Sequence, residues 1–386
     1  MISPALILAA DLGLGLSCAI VAVVVVAVKL ARAVAQSARR ARIAPYRAAV
    51  LAIAAEGDED QGASAALRDM RGRDWRAVRD MVVAMLGTVR GEGAVALVRL
   101  LDARGEFERA RSALRSRLAL RRARGAYLLG LARQRDDVGL LLPLLADRSA
   151  EVRLVTTRSL GSVGDPAAAS ALFDALGPVH GHPGIPGAAA AEALLSFGTG
   201  AVPAVLAALS AGDATQRAVA TLVAAEGALS AAAPHLRSLL VGDPELDVRI
   251  SAARALGAVG GPDDVATLIA FTESARRTEL RRAVVQALGE LGHPDAAPVL
   301  AWLMSDPDVR LAQHSGDALV QLGSPGVRAL LQAGDGPAAR VAAGSLAIAR
   351  LQKAPQVAGV ELPGPRAGLP DREPGRQLAG EPGSPR

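Results

Sequence analysis

Aromatic side chains are scarce in this chain. Phe, Trp and Tyr together make up 2% of its 386 residues, although hydrophobic residues reach 51%. A large sandwich or barrel core built on aromatic rings is therefore excluded. The apolar content is mostly Ala, Leu and Val, which suits helices packed closely in layers. Cysteine occurs once, as Cys18, so there is no internal disulfide framework and no cysteine-based zinc site. Lysine is confined to Lys29 and Lys353, and nearly all positive charge is Arg. With abundant Ala, Gly and Pro, this is the residue usage of a GC-rich bacterial gene.

Catalytic signatures are missing as well. The chain has no phosphate-cradling glycine loop, no GxSxG nucleophile elbow and no HExxH metal motif. Its histidines are His180, His182, His235, His293 and His314. His180 and His182 flank one glycine in "GPVHGHPGIPG", residues 177–187, and could supply two metal ligands. No acidic residue lies near them in sequence, so the segment reads as an exposed insert. No catalytic residue, metal or cofactor is expected.

Charge is unevenly placed. The formal net charge is +5, yet residues 29–48 carry six basic residues and no acid. Residues 104–124, "RGEFERARSALRSRLALRRAR", hold eight Arg against Glu106 and Glu108. The first basic stretch follows "ALILAADLGLGLSCAIVAVVVVAV", Ala5–Val28, whose one charge is Asp11. The run from 12 to 28 spans roughly 26 Å as a helix, and residues 6–28 cover the ~30 Å hydrocarbon core of a bilayer. A cleaved signal peptide would place positive charge ahead of the apolar run, and no Lys or Arg precedes Lys29. A lipoprotein reading of "GLSC" lacks the aliphatic residue three before the cysteine, and the apolar run continues past it. Residues 6–28 are thus read as an uncleaved single-pass transmembrane helix. Residues 29–64 follow as a basic juxtamembrane segment and helical cap. The positive flank puts the rest of the chain in the cytoplasm, at the cell membrane.

One phrase recurs along the chain. An Arg is followed seven residues on by Leu and eight on by Gly, at Arg79/Leu86/Gly87, Arg122/Leu129/Gly130, Arg153/Leu160/Gly161, Arg249/Leu256/Gly257 and Arg281/Leu288/Gly289. Looser copies begin near Gly187, Arg217, Arg310 and Arg340. From Arg122 onward the interval is about 29–34 residues, the range of stacked repeats. In "VRISAARALGAV", Val248, Ala252, Ala255, Leu256 and Val259 fall on one helical face. Gly260-Gly261-Pro262 ends that helix, and "DDVATLIAF" begins a second. The same punctuation returns at Gly164-Asp165-Pro166, Gly292-His293-Pro294 and Gly323-Ser324-Pro325. An all-α fold of stacked helix pairs is predicted. The fullest copy, "DRSAEVRLVTTRSLGSVGDP" at 147–166, resembles HEAT repeats, specifically the short HEAT-like repeats associated with phycobilisome lyases. The resemblance covers residues 65–352 and implies a right-handed α-α superhelix, a HEAT-like solenoid. Residues 353–386, rich in Pro, Gly and charge, read as a disordered tail.

The turns carry acids. Asp147, Asp213, Asp243, Asp306 and Asp335 precede Arg153, Arg217, Arg249, Arg310 and Arg340 by four to six residues. A short acid there can cap the next helix, and the Arg can bond to that turn or to the adjoining repeat. The resemblance implies that these residues form a structural ladder. Stacked repeats present an extended concave face, expected to be lined by the Val-Arg helices. Arg121, Arg122, Arg124, Arg153 and Arg158 are the candidate contacts there for an acidic protein partner, one that could itself be membrane-associated. With two Trp and no dense aromatic platform, nucleic acid is not expected, nor is a small-molecule substrate. The leading function is a membrane-anchored scaffold. The competing class is a lyase-like or metal-dependent enzyme on the same solenoid, an activity that the repeat alone does not transfer.

Overall fold

A computed structural model describes residues 62–357, apart from 179 and 276, together with parts of the stretch 21–57. The predicted span 6–28 lies largely outside the described residues, and 358–386 lies wholly outside them. Among the described residues no helix is long and apolar enough to cross a membrane, and no β-strand forms.

The recurring phrase folds as its period demands. Helix Leu246–Val259 buries Val248, Ala252, Ala255, Leu256 and Val259, the predicted face. The Leu of every copy is buried: Leu129, Leu160, Leu256 and Leu288 are 0% exposed, and Leu86 is 4% exposed. Each residue of Gly164-Asp165-Pro166 has a separate task. Gly164 ends helix Ala150–Val163 in the left-handed region, at φ 73°, which a Cβ would disfavour. The Asp165 carboxylate accepts from the Ala167 N–H at 3.0 Å, and Pro166 opens the following turn, where no N–H is needed.

The chain divides into two compact units, Met1–Gly260 and Gly261–Arg386. In the first, Glu106–Ala113, Ala119–Ala132, Ala150–Val163, Gly187–Ser196, Ala214–Glu226 and Leu246–Val259 stack one on the next as a layer. Shorter helical pieces at 135–146, 166–174, 198–211 and 230–242 cover one side of it. In the second unit, Thr278–Leu291, Val309–Gln321 and Pro337–Val357 form the corresponding layer, with Pro262–Ser274, 294–303 and Ser324–Leu331 beside it. This is the repeated helix packing of a solenoid. Helix Pro337–Val357 runs beyond residue 352, where the sequence reading ends the array. At the other end residues 43–55 are helical, with Val50 and Ile53 fully buried.

The glycine of the phrase has a reason that periodicity does not supply. A Cβ on Gly130 would lie 2.6 Å from the Cβ of Ser159, and one on Gly289 would lie 2.9 Å from the Cα of Ala318. In each case the obstacle is the matching helix of the next repeat, so these helices approach nearly backbone to backbone. Gly289→Val is expected to destabilise the second unit by about 1–3 kcal/mol through overpacking. Circular dichroism melting checks this: helicity at low temperature should persist while the midpoint falls. An unchanged midpoint would show that the layer can widen freely.

Candidate functional site

The arginines and aspartates form a ladder between repeats. Arg122 holds Asp147 with two bonds, from Nε at 2.6 Å and Nη2 at 2.8 Å, and its Nη1 donates to the Ser116 carbonyl at 2.8 Å. Arg217 grips Asp243 in the same way, at 2.6 and 3.0 Å, and reaches the Gly212 carbonyl at 2.7 Å. Arg281 pairs with Asp306 at 2.8 Å and Arg282 with Asp308 at 2.7 Å. Arg111 pairs with Asp137 at 2.7 Å. Every such pair is separated by 25 or 26 residues. Arg122, Arg217, Arg281 and Arg282 therefore reach from one repeat into the turn that opens the next, whereas Asp137 lies in the 3-10 turn that follows helix Ala119–Ala132. The opening turn is organised by the same carboxylate: Asp147 accepts from the Ser149 N–H, Asp243 from the Glu245 N–H and Asp306 from the Asp308 N–H, all at 2.8–2.9 Å.

The remaining predicted ladder residues take other places. Asp213 makes a reciprocal cap with Gln216 at 2.9 and 3.0 Å. Arg249 donates to the Leu240 carbonyl at 3.1 Å. Arg310, Asp335 and Arg340 are exposed. Arg153 is 3% exposed, and its guanidinium bonds the Asp147 carbonyl and, across the insert, the Pro183 carbonyl, both at 2.7 Å. The insert supplies a backbone oxygen where other repeats offer an aspartate. Ile185 is buried there and donates its N–H to Ala175 at 2.9 Å, so residues 183–185 are pinned to the array. His180 and His182 are exposed on the same insert, and among the described residues no three His, Cys, Asp or Glu gather as a metal site.

Of the five candidate partner contacts, Arg122 and Arg153 are engaged inside the array, whereas Arg121, Arg124 and Arg158 are exposed. The split follows from helix geometry, since adjacent residues point roughly 100° apart. Two further polar groups escape the sequence reading. Asp137 is 1% exposed beneath Arg111, and its signal is the 26-residue spacing. Glu106, 3% exposed, accepts from Trp75 Nε1 and from Arg109, both at 2.6 Å. Arg104 lies 4.5 Å from the Trp75 ring centre and also binds the Arg68 and Met70 carbonyls. No sequence period marks that cluster.

The ladder shifts its own protonation equilibria. Burial pushes the Asp147 carboxyl up, but the Arg122 guanidinium, the Ser149 N–H and the charge of Arg153 carry it below the usual range. Asp243 is likewise pushed up by burial and brought below it by Arg217, the Glu245 N–H and Arg249. Asp308 is depressed in the same manner, by Arg282 and two backbone N–H groups. A carboxyl whose folded value lies below its unfolded one stabilises the fold fully above the unfolded value. That stabilisation is lost as pH falls through the folded value. Stability is therefore expected to hold from neutral pH to about pH 5 and to drop steeply below about pH 4. Urea midpoints across this range check the window. A midpoint that already falls between about pH 7 and pH 5 would mean that another group governs acid stability.

No curated protein matches the sequence. Among solved structures, the complex of CpcE and CpcF of phycocyanin lyase from Nostoc sp. is 21% identical, covering 58% of this chain and 92% of that one at a TM-score of 0.29. The YibA protein of Escherichia coli is 18% identical over 69% of this chain and 97% of that one, at 0.36. Human deoxyhypusine hydroxylase in complex with glycerol is 18% identical over 73% and 93%, at 0.27. Likenesses at these scores carry no weight for activity. Residues 202–279 and 265–349 match a family model of HEAT repeats. Together the two matches span residues 202–349.

Proposed function

We propose that this protein is a membrane-anchored scaffold whose repeat array binds a protein partner on the cytoplasmic side. The observation that carries this reading is the division of labour among the arginines. Arg122, Arg217, Arg281 and Arg282 hold the repeats together, while Arg121, Arg124 and Arg158 stand exposed on the stacked layer. Arginine suits an acidic partner because its planar fork meets a carboxylate with two bonds. The anchoring half of the reading is supported by the apolar run 6–28 and the six basic residues after it.

Crosslinking pull-down from native membranes tests the binding half. The triple variant Arg121→Glu/Arg124→Glu/Arg158→Glu should lose at least one partner captured by the wild type, with helicity unchanged. An unchanged captured set would remove these arginines from the interface. A reporter fused to the C-terminus tests the anchor, and activity of an export-dependent reporter there would invert the topology.

A further inference from the structure

The segment 104–124 builds a surface feature that its charge alone does not reveal. Helix Glu106–Ala113 and the turn after it leave two adjoining hollows, of about 530 and 420 Å³. The first is lined by Arg109, Arg115 and Arg121, with the hydroxyl side chains of Ser112 and Ser116. The second is mixed in character: Leu114, Leu140, Pro143 and Leu144 line it together with Glu108, Arg111, Ser112 and Arg115. Glu108, Ser112 and Arg115 line both, so the hollows share a ridge. Leu140 is 40% exposed, an aliphatic side chain left open on the wall.

The electrostatics of the first hollow are one-sided. Glu108 also lines it, but its carboxylate is held by Arg111 at 2.5 Å. Arg109 is tied to Glu106 at 2.6 Å. Arg115 and Arg121 are exposed and form no ion pair with any described residue. Two uncommitted guanidiniums, with two hydroxyls able to donate, thus face one concavity. Carboxylates are their natural complement. Leu140 and Pro143, both exposed in the second hollow, call for more than negative charge, since a purely anionic ligand would leave them in water.

We infer that these two hollows form a docking site for an extended peptide segment of a partner that alternates acidic and aliphatic residues. Its carboxylates bind Arg115 and Arg121, and an aliphatic side chain crosses the ridge onto Leu140. A peptide can present carboxylates and an aliphatic side chain within one short segment, which matches the guanidiniums of the first hollow and Leu140 of the second. This site deepens the partner-binding reading above and rests on it. It also moves the contact toward the N-terminal side of the array, away from Arg153.

Fluorescence anisotropy tests the site with the full chain in mild detergent. Three labelled decapeptides serve as probes: one repeating Asp-Glu-Leu, one with Ser in place of each Leu, and one with Asn and Gln in place of the acids. The first should bind tightest, and Arg115→Glu/Arg121→Glu should weaken it by about tenfold or more. Leu140→Ser should weaken it by roughly threefold and abolish its advantage over the Ser peptide. Arg328→Glu, exposed in the second unit, should change nothing. Circular dichroism confirms that each variant folds. Equal binding of the first two peptides, or indifference to the double charge reversal, would overturn the site. Binding of phosphatidylserine vesicles in place of peptide, sensitive to the same reversal, would assign the patch to lipid and overturn it as well. If Arg115→Glu/Arg121→Glu keeps every partner in the pull-down, this docking site falls while the scaffold reading stands. If the wild type captures none, the scaffold reading falls.

Discussion

Leu256→Asp is expected to abolish the cooperative fold at the end of the first unit. Leu256 is fully buried on helix Leu246–Val259, which packs against both Ala214–Glu226 and Ala233–Gly242. The substitution removes most of an aliphatic side chain from that junction and leaves a carboxylate without a designed partner. Cavity formation and charge burial act together, at a cost of about 4 kcal/mol or more. Stacked repeats are stabilised by nearest neighbours, so the damage should be greatest where the repeat meets its neighbours. Amide exchange should show lost protection across 214–259, and the melting transition should move down or split. A small shift in one intact transition would mean that the helix can rotate to expose this position.

Asp243→Ala is expected to cost less in total but to reveal more about the ladder. The Asp243 side chain is 1% exposed, and Arg217 keeps 16% of its own exposed. Removing the carboxylate strands a guanidinium and frees the Glu245 N–H that it had fixed. Breaking a buried pair from one side costs about 3–5 kcal/mol. Solvent still reaches Arg217, so a value nearer 2–3 kcal/mol, about half the full penalty, is expected. The decisive comparison is Asp243→Ala/Arg217→Met, which removes both charges. It should recover part of the loss, because the stranded cation is gone. Urea denaturation of the two variants measures this coupling. A double variant no more stable than the single one would show that Asp243 acts only by fixing its turn.

Much of the architecture was legible in the chain. Val248, Ala252, Leu256 and Val259 recur at helical spacing, and a helix of that pattern has one way to hide them. Gly164, Asp165 and Pro166 could be read as stop, cap and start because each acts through its own backbone or an adjacent N–H. The Leu of each copy could be assigned to the core for the same reason. These are local rules, and the sequence by itself determined everything that rests on them: the all-helical pairs, their period and their buried stripe.

The tertiary structure decided which groups meet across repeats. By sequence distance Asp243 belongs with Arg249, six residues on. In the fold its carboxylate is held by Arg217, because stacking carries the turn of one repeat beneath the helix of the one before. Gly130 and Gly289 recur in the sequence as the last residue of the Arg-Leu-Gly phrase, and the packed helices make them contact points for Ser159 and Ala318 of the next repeat. Arg121 and Arg122 look alike as neighbours in an arginine run. About 100° of helix rotation sends one to solvent and the other onto Asp147. Local periodicity specifies which face of a helix is apolar. The partner of each polar group depends on the offset between stacked helices, which exists only once the layers have packed.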